Sequence, residues 1–274
     1  MEVNTITAKC WNPDDRVRRL TEEFRTALRS VPKDAVVRCV LRTPTHAGRG
    51  LHRRFSNVAV LMKRTIVAAD DFFVAGVKAA RQGSGREFSR DSLVRGKDVI
   101  GQGLRVTHGV ATQIPRWSRS LVSDPSESLP EVVGATVGFL IGSGGLDANG
   151  GLPDLDLLAG IGNHRSFLTH SIIMGAAAEA VLIALDELIF LTHEHLPSDR
   201  DPLWDSLVQV YGRTSASAKT GVAVGIAYHL AIDGTLQVAA YKDLPFHAPM
   251  EVHQALFEAN AATETINATK GRQA

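Results

Sequence analysis

The chain has 274 residues, an apolar fraction of 44% and a formal net charge of +1, a composition that excludes a largely disordered polypeptide. Its two cysteines, Cys10 and Cys39, exclude a disulfide-stabilised scaffold and are typical of a reducing compartment. The first residues lack the apolar stretch of a secretory signal peptide, so we expect a cytoplasmic protein.

The small net charge hides a division between the two halves of the sequence. Residues 1–120 carry 23 Lys and Arg against 11 Asp and Glu, whereas residues 121–274 carry 7 against 18. A basic half of this kind is typical of a surface for nucleic acid or an anionic membrane. It is equally expected where the two halves dock on each other, and the dispersal of the basic residues along several helices favours docking slightly.

Most of the first half is predicted to be helical. Apolar residues at helical spacing predict helices over residues 13–30, 51–82 and 89–113. Between the first two of these, residues 34–42 are interpreted as a short strand or an extended connector, and residues 43–50 as a loop.

Residues 123–130, SDPSESLP, have the composition of a linker and coincide with the change in the sign of the charge. We therefore predict a basic helical region over residues 1–122 and a second helical domain over residues 123–274. No strand-rich block and no internal repeat appears, so the predicted fold class is all-α, a helical bundle with a site between its helices.

The second half contains long apolar helices, predicted over residues 171–191 and 218–236, and a final amphipathic helix over residues 249–269. The first of these is long enough to cross a bilayer. However, Glu179, Asp186 and Glu187 lie inside it, and buried charges are costly at the centre of a membrane. We expect a buried helix whose polar edge faces a site.

Asp154 and Asp156 form the first group of residues that suit a metal ion. A pair of carboxylates at i and i+2 in a turn or an extended segment can offer two oxygen ligands to one cation. Pro153 fixes the backbone that enters the pair, and the glycines before it allow a close approach. The alternative is a helix N-cap followed by an acidic residue in the first turn.

Two histidines follow, His164 and His170, and we expect them to converge if a helix begins near residue 166. The alternative is that they are surface residues or satisfied core residues. Arg165, between them, suits an anionic oxygen such as that of a phosphate, and otherwise an ion pair with Asp154 or Asp156.

Downstream, His229 and Asp233 are spaced i, i+4, which places them on one face of a helix. They are interpreted either as metal ligands or as a buried His–Asp hydrogen bond. His193 and His195 lie at a predicted helix end, where capping or exposure is expected. A mixed set of imidazoles and carboxylates favours Zn²⁺, Mn²⁺ or Fe²⁺ over Ca²⁺.

Three segments together resemble the YdjM-like family of membrane-bound metal-dependent hydrolases. They are LPDLD at 152–156, HRSFLTHS at 164–171 and HLAID at 229–233, and the resemblance extends over residues 104–240. The family also carries a histidine on an earlier helix, and His108 in VTHGVAT lies at the matching place.

The resemblance and the residue types together imply a site with one or two divalent transition-metal ions, Zn²⁺ or Mn²⁺. The expected ligands are Asp154, Asp156, His164, His170, His229 and Asp233, with His108 as a further one. Arg165, Asp156 and His170 are the expected catalytic residues, and Thr169 or Ser171 would orient ligands.

The implied reaction is hydrolysis of a phosphate ester by metal-activated water, with a phospholipid or a nucleic acid as the anionic substrate. Contact with the inner membrane follows from the same resemblance. The alternative is a non-catalytic interaction protein that a structural metal ion stabilises.

Overall fold

The structure is a computed structural model that describes residues 13–81, 123–160, 162, 164–237, 239–244 and 247–270, and all regular elements of these residues are helices. They are α1 (Pro13–Ser30), α2 (Lys33–Arg81), α3 (Pro125–Ser143), a 3₁₀ helix (Pro153–Ala159), α4 (Ile172–Glu194), α5 (Leu203–Thr235) and α6 (Met250–Lys270). The predicted all-α class is confirmed.

Helix α2 is continuous where the sequence predicted a strand and a loop. It runs without interruption through residues 34–50, so both predictions for this stretch are wrong. The β-branched residues and Pro44 weaken a helix locally, because proline removes one backbone hydrogen bond. Packing along α4 overrides this local preference, and His46 Nε2 lies 3.0 Å from Glu187 Oε1 of that helix.

The predicted linker at 123–130 is the beginning of α3. Asp124 is the N-cap, and its side chain accepts a hydrogen bond of 3.2 Å from the backbone N–H of Glu127, while Pro125 opens the helix. Asp, Pro and Ser are favoured both in linkers and at helix starts, which explains the error. The predicted helix at 89–113 lies outside the described residues, and the division into two domains stays a prediction.

Helices α3 and α5 pack backbone against backbone through glycines. A Cβ atom added to Gly138 would lie 2.1 Å from the carbonyl oxygen of Ala218, and one added to Gly221 would lie 2.2 Å from that of Ala135. Only glycine permits so close an approach. As a result, the last turn of α3 lies beside the middle of α5. Helix α5 begins at Leu203, before the start that was predicted at residue 218.

A small apolar core joins α5 to α6. Ile226 and Leu230 of α5 pack with Phe257 of α6 and with Tyr241, whose ring stacks on Phe257 at a centroid distance of 4.2 Å. Helices α4 and α6 begin within one residue of the predicted positions. At the end of α4, His195 Nδ1 lies 2.9 Å from the carbonyl oxygen of Leu191, as the capping interpretation predicted.

The charged residues within α4 face neighbouring helices rather than a site, so that part of the prediction is wrong. Asp186 accepts hydrogen bonds from Lys219 at 2.5 Å and from Tyr211 at 2.7 Å, both on α5. Glu187 faces His46 of α2. Among the described residues, no helix combines the length and the apolar character that a membrane span requires.

Arginines of α1 and α2 pair with carboxylates from the second half of the chain. Arg16 binds Asp201 through two hydrogen bonds of 2.8 and 2.9 Å. Arg54 binds Glu264 of α6 through bonds of 2.5 and 3.0 Å. For these residues the charge division corresponds to docking of the two halves on each other.

Candidate metal centre

The 3₁₀ helix directs both aspartates inward. Gly150 and Gly151, with φ angles of 89° and 80°, make the turn that precedes it, a conformation that side-chain-bearing residues rarely adopt. Asp154 and Asp156 are buried, and Asp154 Oδ2 accepts a 2.5 Å hydrogen bond from the backbone N–H of Gly150. The residue at the N-cap position is Leu152, so neither aspartate has the N-cap role that was the alternative interpretation.

The two histidines of the second segment lie in turns that precede α4. No helix begins near residue 166, the condition under which their convergence was expected, because Ser171 is the N-cap and α4 begins at Ile172. The backbone N–H of Ser166 instead donates to Asp156 Oδ2 at 2.9 Å. This bond draws the segment toward the 3₁₀ helix and places His170 between the aspartates and α5.

Helix α5 contributes His229 and Asp233, both buried on the face that meets α3 and the 3₁₀ helix. His229 Nδ1 lies 3.2 Å from the carbonyl oxygen of Ser143. Because a carbonyl oxygen only accepts hydrogen bonds, Nδ1 carries the proton of this bond and Nε2 retains its lone pair. Burial lowers the pKa of His229, which favours the neutral ring that binds metals.

Two imidazole nitrogens face two carboxylate oxygens at short distances. His170 Nε2 lies 3.6 Å from Asp154 Oδ1 and 3.4 Å from Asp233 Oδ2, and His229 Nε2 lies 3.7 Å from each of these oxygens. Ligands at tetrahedral angles on an ion with bonds of about 2.1 Å are about 3.4 Å apart. The four observed distances are close to this value, and Asp154, His170 and His229 form a group that could hold one ion, with Asp233 beside the two imidazoles.

A second group adjoins the first. His164 Nδ1 lies 3.4 Å from Asp154 Oδ1 and 3.5 Å from Asp156 Oδ1. Of the described residues, Asp154, His170 and His229 form one triad with ligand atoms mutually within 4.8 Å, and Asp156, His164 and His170 form another. His170 is common to both triads, and its ring nitrogens face different carboxylates.

Several atoms of the cluster are buried and have no hydrogen-bond partner among the described residues. They are Asp154 Oδ1, Asp156 Oδ1, Asp233 Oδ2, His164 Nδ1 and His170 Nε2. A buried polar atom without a partner loses the full free energy of its hydration. Carboxylate oxygens that face imidazole nitrogens across 3.4 to 3.7 Å are the donor set that a shared divalent cation satisfies.

Thr169 connects the histidine-bearing turns before α4 to the 3₁₀ helix. Its hydroxyl donates to Asp156 Oδ2 at 2.8 Å and lies 3.0 Å from His170 Nδ1. With the hydroxyl hydrogen directed at Asp156, Thr169 Oγ1 accepts from His170 Nδ1–H, and His170 Nε2 is left unprotonated toward Asp154 and Asp233. Ser171, the other residue predicted to orient ligands, caps α4 instead.

Arg165 pairs with Asp233, and the sequence did not indicate this pairing. Its Nη2 lies 3.2 Å from Asp233 Oδ1 and also donates to Gln237 Oε1, and its Nε is buried without a partner among the described residues. The predicted alternative, an ion pair with Asp154 or Asp156, is not the observed one. A φ angle of 67° places Arg165 in the left-handed region, which is strained for a residue with a side chain.

Electrostatics favour the ionised form of Asp154. Burial by itself raises the pKa of this carboxyl group, but His170 and His229 in their protonated forms and the backbone N–H of Gly150 outweigh burial and lower the pKa below its usual value. With neutral imidazoles, the three aspartates and Arg165 carry a net charge of −2. One divalent cation would balance this charge.

The structure brings six of the predicted ligands into one cluster: Asp154, Asp156, His164, His170, His229 and Asp233. His108 lies outside the described residues, and metal binding by the six stays a prediction. Sequence reasoning missed the carbonyl of Ser143 and the side chain of Gln237. Neither has a local signal, because both reach the cluster through packing of distant segments.

No family model, curated protein or solved structure matches this chain.

Proposed function

We propose that this protein is a metal-dependent hydrolase that cleaves a phosphate ester at the cluster of Asp154, Asp156, His164, His170, His229 and Asp233. The observation that carries the proposal is the convergence of buried carboxylate and imidazole atoms that lack partners among the described residues. An unpaired arrangement of this kind is costly for a merely structural hydrogen-bond network.

The residues divide into two positions for a cation. Asp154, His170, His229 and Asp233 form the more deeply buried position, and Asp156 and His164 extend it toward the surface. A divalent ion held by these residues would lower the pKa of a bound water to about 7 and would so supply a nucleophile at neutral pH. His164, at 27% side-chain exposure, is the most accessible member, so substrate would approach from its side.

Arg165 would bind the phosphate through its Nε–H, which has no partner among the described residues, while Nη2 stays on Asp233. Thr169 would keep His170 in the tautomer whose Nε2 accepts the ion. The similarity of 152–156, 164–171 and 229–233 to YdjM-like hydrolases supports the same assignment, and we propose membership of that family.

A non-catalytic role for the metal is the second candidate. It is favoured by one observation: His170 and His229 are almost completely buried, and the cluster joins α5, the 3₁₀ helix and the turns before α4. A structural ion has a closed tetrahedral site, whereas a catalytic one keeps a position for water or substrate. X-ray absorption spectroscopy of the Zn²⁺-loaded protein distinguishes four protein ligands alone from a shell that includes water.

The test of the proposed function is metal analysis together with an activity screen. Purified protein is stripped with a chelator, reloaded with Zn²⁺ or Mn²⁺, and assayed on phosphate monoesters, phosphate diesters and phospholipids. We expect at least one tightly bound ion per chain and hydrolysis that disappears on chelation and returns with metal. A protein that folds fully and binds neither ion would overturn the proposal.

Matched variants locate the activity. His170→Ala should abolish both metal binding and hydrolysis, because His170 belongs to both triads. His247→Ala is the control, since His247 is exposed and lies outside both triads. Equal metal content in the two variants would place the metal elsewhere in the chain.

A further inference from the structure

The segments that supply or adjoin the candidate metal centre expose several leucines. We call them the leucine rim: Leu146, Leu155, Leu157, Leu158, Leu168 and Leu236. Leu158 is 87% exposed and Leu236 is 73% exposed. Single surface leucines are ordinary, but a group of them around one site indicates an interaction surface.

The leucines belong to the same segments that supply the metal ligands. Within the 3₁₀ helix, Asp154 and Asp156 are buried, whereas Leu155, Leu157 and Leu158 are exposed. One short element therefore presents carboxylates to the interior and leucines to the solvent. The fold aligns an apolar outer surface with a polar centre beneath it.

The other rim residues lie next to cluster residues in the sequence or are hydrogen-bonded to a neighbour of one. Leu146 accepts a hydrogen bond at its carbonyl oxygen from Tyr228, the residue before His229. Leu168 lies between Ser166 and His170, and Leu236 precedes Gln237, which binds Arg165. The segments around residues 146, 168 and 236, which adjoin cluster residues, thus each expose a leucine.

The charge of these segments disfavours a polyanion. Residues 143–171 and 233–244 contain two cations, Arg165 and Lys242, against five aspartates. Arg165 is already bound to Asp233. A nucleic acid needs several cations along its path to neutralise successive phosphates, whereas a ligand with one phosphate and an apolar body needs only the centre and the rim.

We infer that the substrate of this centre is an amphiphilic phosphate ester, whose phosphate reaches the cluster while its alkyl or acyl chain lies on the leucine rim. The inference rests on the proposed function, because it requires the metal centre to hold the phosphate. It selects the phospholipid-like class of substrate over nucleic acid.

Calorimetric binding to the Zn²⁺-loaded full-length protein tests the inference without requiring turnover. The probes are butyl phosphate, dodecyl phosphate below its micellar concentration, and a short single-stranded oligonucleotide. Each methylene that becomes buried should tighten binding by about fourfold. We therefore expect dodecyl phosphate to bind at least about tenfold more tightly than butyl phosphate, and the oligonucleotide to bind more weakly than either.

The double variant Leu158→Ser/Leu236→Ser should remove this chain-length dependence and leave the affinity for butyl phosphate unchanged. Both side chains are largely exposed, so the variant should fold and bind Zn²⁺ normally. The control is Leu28→Ser/Leu41→Ser, which removes exposed leucines from α1 and α2 and should behave as the wild type does.

The outcomes separate the inference from the function on which it rests. A protein that binds no Zn²⁺ contradicts the proposed function itself. A protein that binds Zn²⁺ and butyl phosphate, but shows no preference for the longer chain or prefers the oligonucleotide, overturns the leucine-rim inference and leaves the metal centre in place.

Discussion

Among the buried polar clusters of the described residues, two differ clearly in how their charges are balanced. The first is the metal-ligand cluster around His170. The second, which we call the Arg54 network, consists of Arg53, Arg54, Glu179, Glu264 and Asn267. Both connect segments that are distant in the sequence, and both contain side chains with almost no exposure.

The Arg54 network is complete within the protein. Arg54 donates to Glu264 at 2.5 and 3.0 Å and to Glu179 at 2.7 Å, and Arg53 donates to Glu179 and to Asn267. Two arginines balance two glutamates, and none of these side chains has a buried unpartnered atom among the described residues. Gly175 makes room for the network, since a Cβ there would lie 2.3 Å from Glu264 Oε1.

The metal-ligand cluster lacks this balance. Asp154 Oδ1 and Asp233 Oδ2 face the unprotonated Nε2 atoms of His170 and His229, and the net charge of the cluster with Arg165 is −2 when the imidazoles are neutral. Burial alone therefore does not distinguish a functional polar cluster from a structural one. The distinguishing property is whether the protein itself supplies the cations and donors that the acceptors require.

Arg54→Leu should have the largest effect on stability, because it leaves Glu264 buried without its partner. Breaking a buried ion pair from one side costs about 3 to 5 kcal/mol, which urea unfolding at pH 7 measures. Metal binding should survive under conditions where the variant folds. Arg49→Leu is the control, since Arg49 is exposed, and should change the free energy of unfolding by less than about 0.5 kcal/mol.

Replacing Arg54 and Glu264 together tests why the single variant loses stability. Arg54→Met/Glu264→Leu removes both charges and should recover much of the stability. A double variant as unstable as Arg54→Leu would show that packing of the arginine, rather than the unpaired carboxylate, causes the loss.

Zn²⁺ should stabilise the folded protein by binding the metal-ligand cluster, and this stabilisation should not depend on the Arg54 network. An ion at a hundredfold excess over its Kd adds about 2.7 kcal/mol to the free energy of unfolding and raises Tm by about 5 to 10 °C. Differential scanning calorimetry with and without a chelator measures this shift. Arg54→Lys should retain the full shift and His170→Ala should lose it; equal shifts in these two variants would contradict the assignment of the ligands.

Thr169→Val should weaken metal binding while leaving the ligands in place. The change removes the hydroxyl that donates to Asp156 and accepts from His170, and partners of this kind are worth about 10- to 100-fold in metal affinity. Competition with a chromophoric chelator measures the affinity. Thr220→Val serves as the control, because the bond of that hydroxyl within the described residues goes to the carbonyl of Ala216 in its own helix turn, far from the ligands. Unchanged metal affinity in Thr169→Val would show that Thr169 has only a packing role.

The smallest effect concerns the acid stability of the Arg54 network. Burial by itself raises the pKa of Glu179, but hydrogen bonds and charges of Arg53 and Arg54 outweigh it and lower the pKa below 4.5. A lowered pKa in the folded state adds stability that is present above pH 4.5 and is lost as the pH falls through the folded-state value. Glu179→Gln should therefore be less stable than the wild type at pH 7, with a difference that narrows below pH 4.5.

Urea unfolding as a function of pH tests this expectation. Glu22→Gln is the control, because Glu22 forms an exposed pair with Arg18 on the same helix and such pairs contribute little. A constant difference between Glu179→Gln and the wild type from pH 7 to pH 3 would contradict the sign of the pKa shift.

The helical class and three of the helices could be predicted because their signals are local. Apolar periodicity gave α1, and Ser171 and the apolar run after it gave α4 within one residue. The segment at 34–50 was mispredicted for the same reason: its local signals oppose a helix, and only contact with α4 outweighs them.

The candidate ligands were also predictable, since their types and spacing are visible in the sequence. Their arrangement was not. The tautomer of His229 depends on the carbonyl of Ser143, 86 positions away, and the partner of Arg165 is Asp233, 68 positions away. Nothing in either local segment indicates which distant group it meets.

The sequence by itself thus determined an all-helical chain and a set of imidazoles and carboxylates suited to a transition metal, because helix periodicity and ligand chemistry belong to neighbouring residues. Tertiary structure alone decided which buried charges are balanced. Within the described residues, it gave Glu179 and Glu264 an arginine from α2 and gave Asp154 and Asp156 none. That choice depends on which helices pack together, and the close contact of α3 with α5 and of α2 with α4 fixes it.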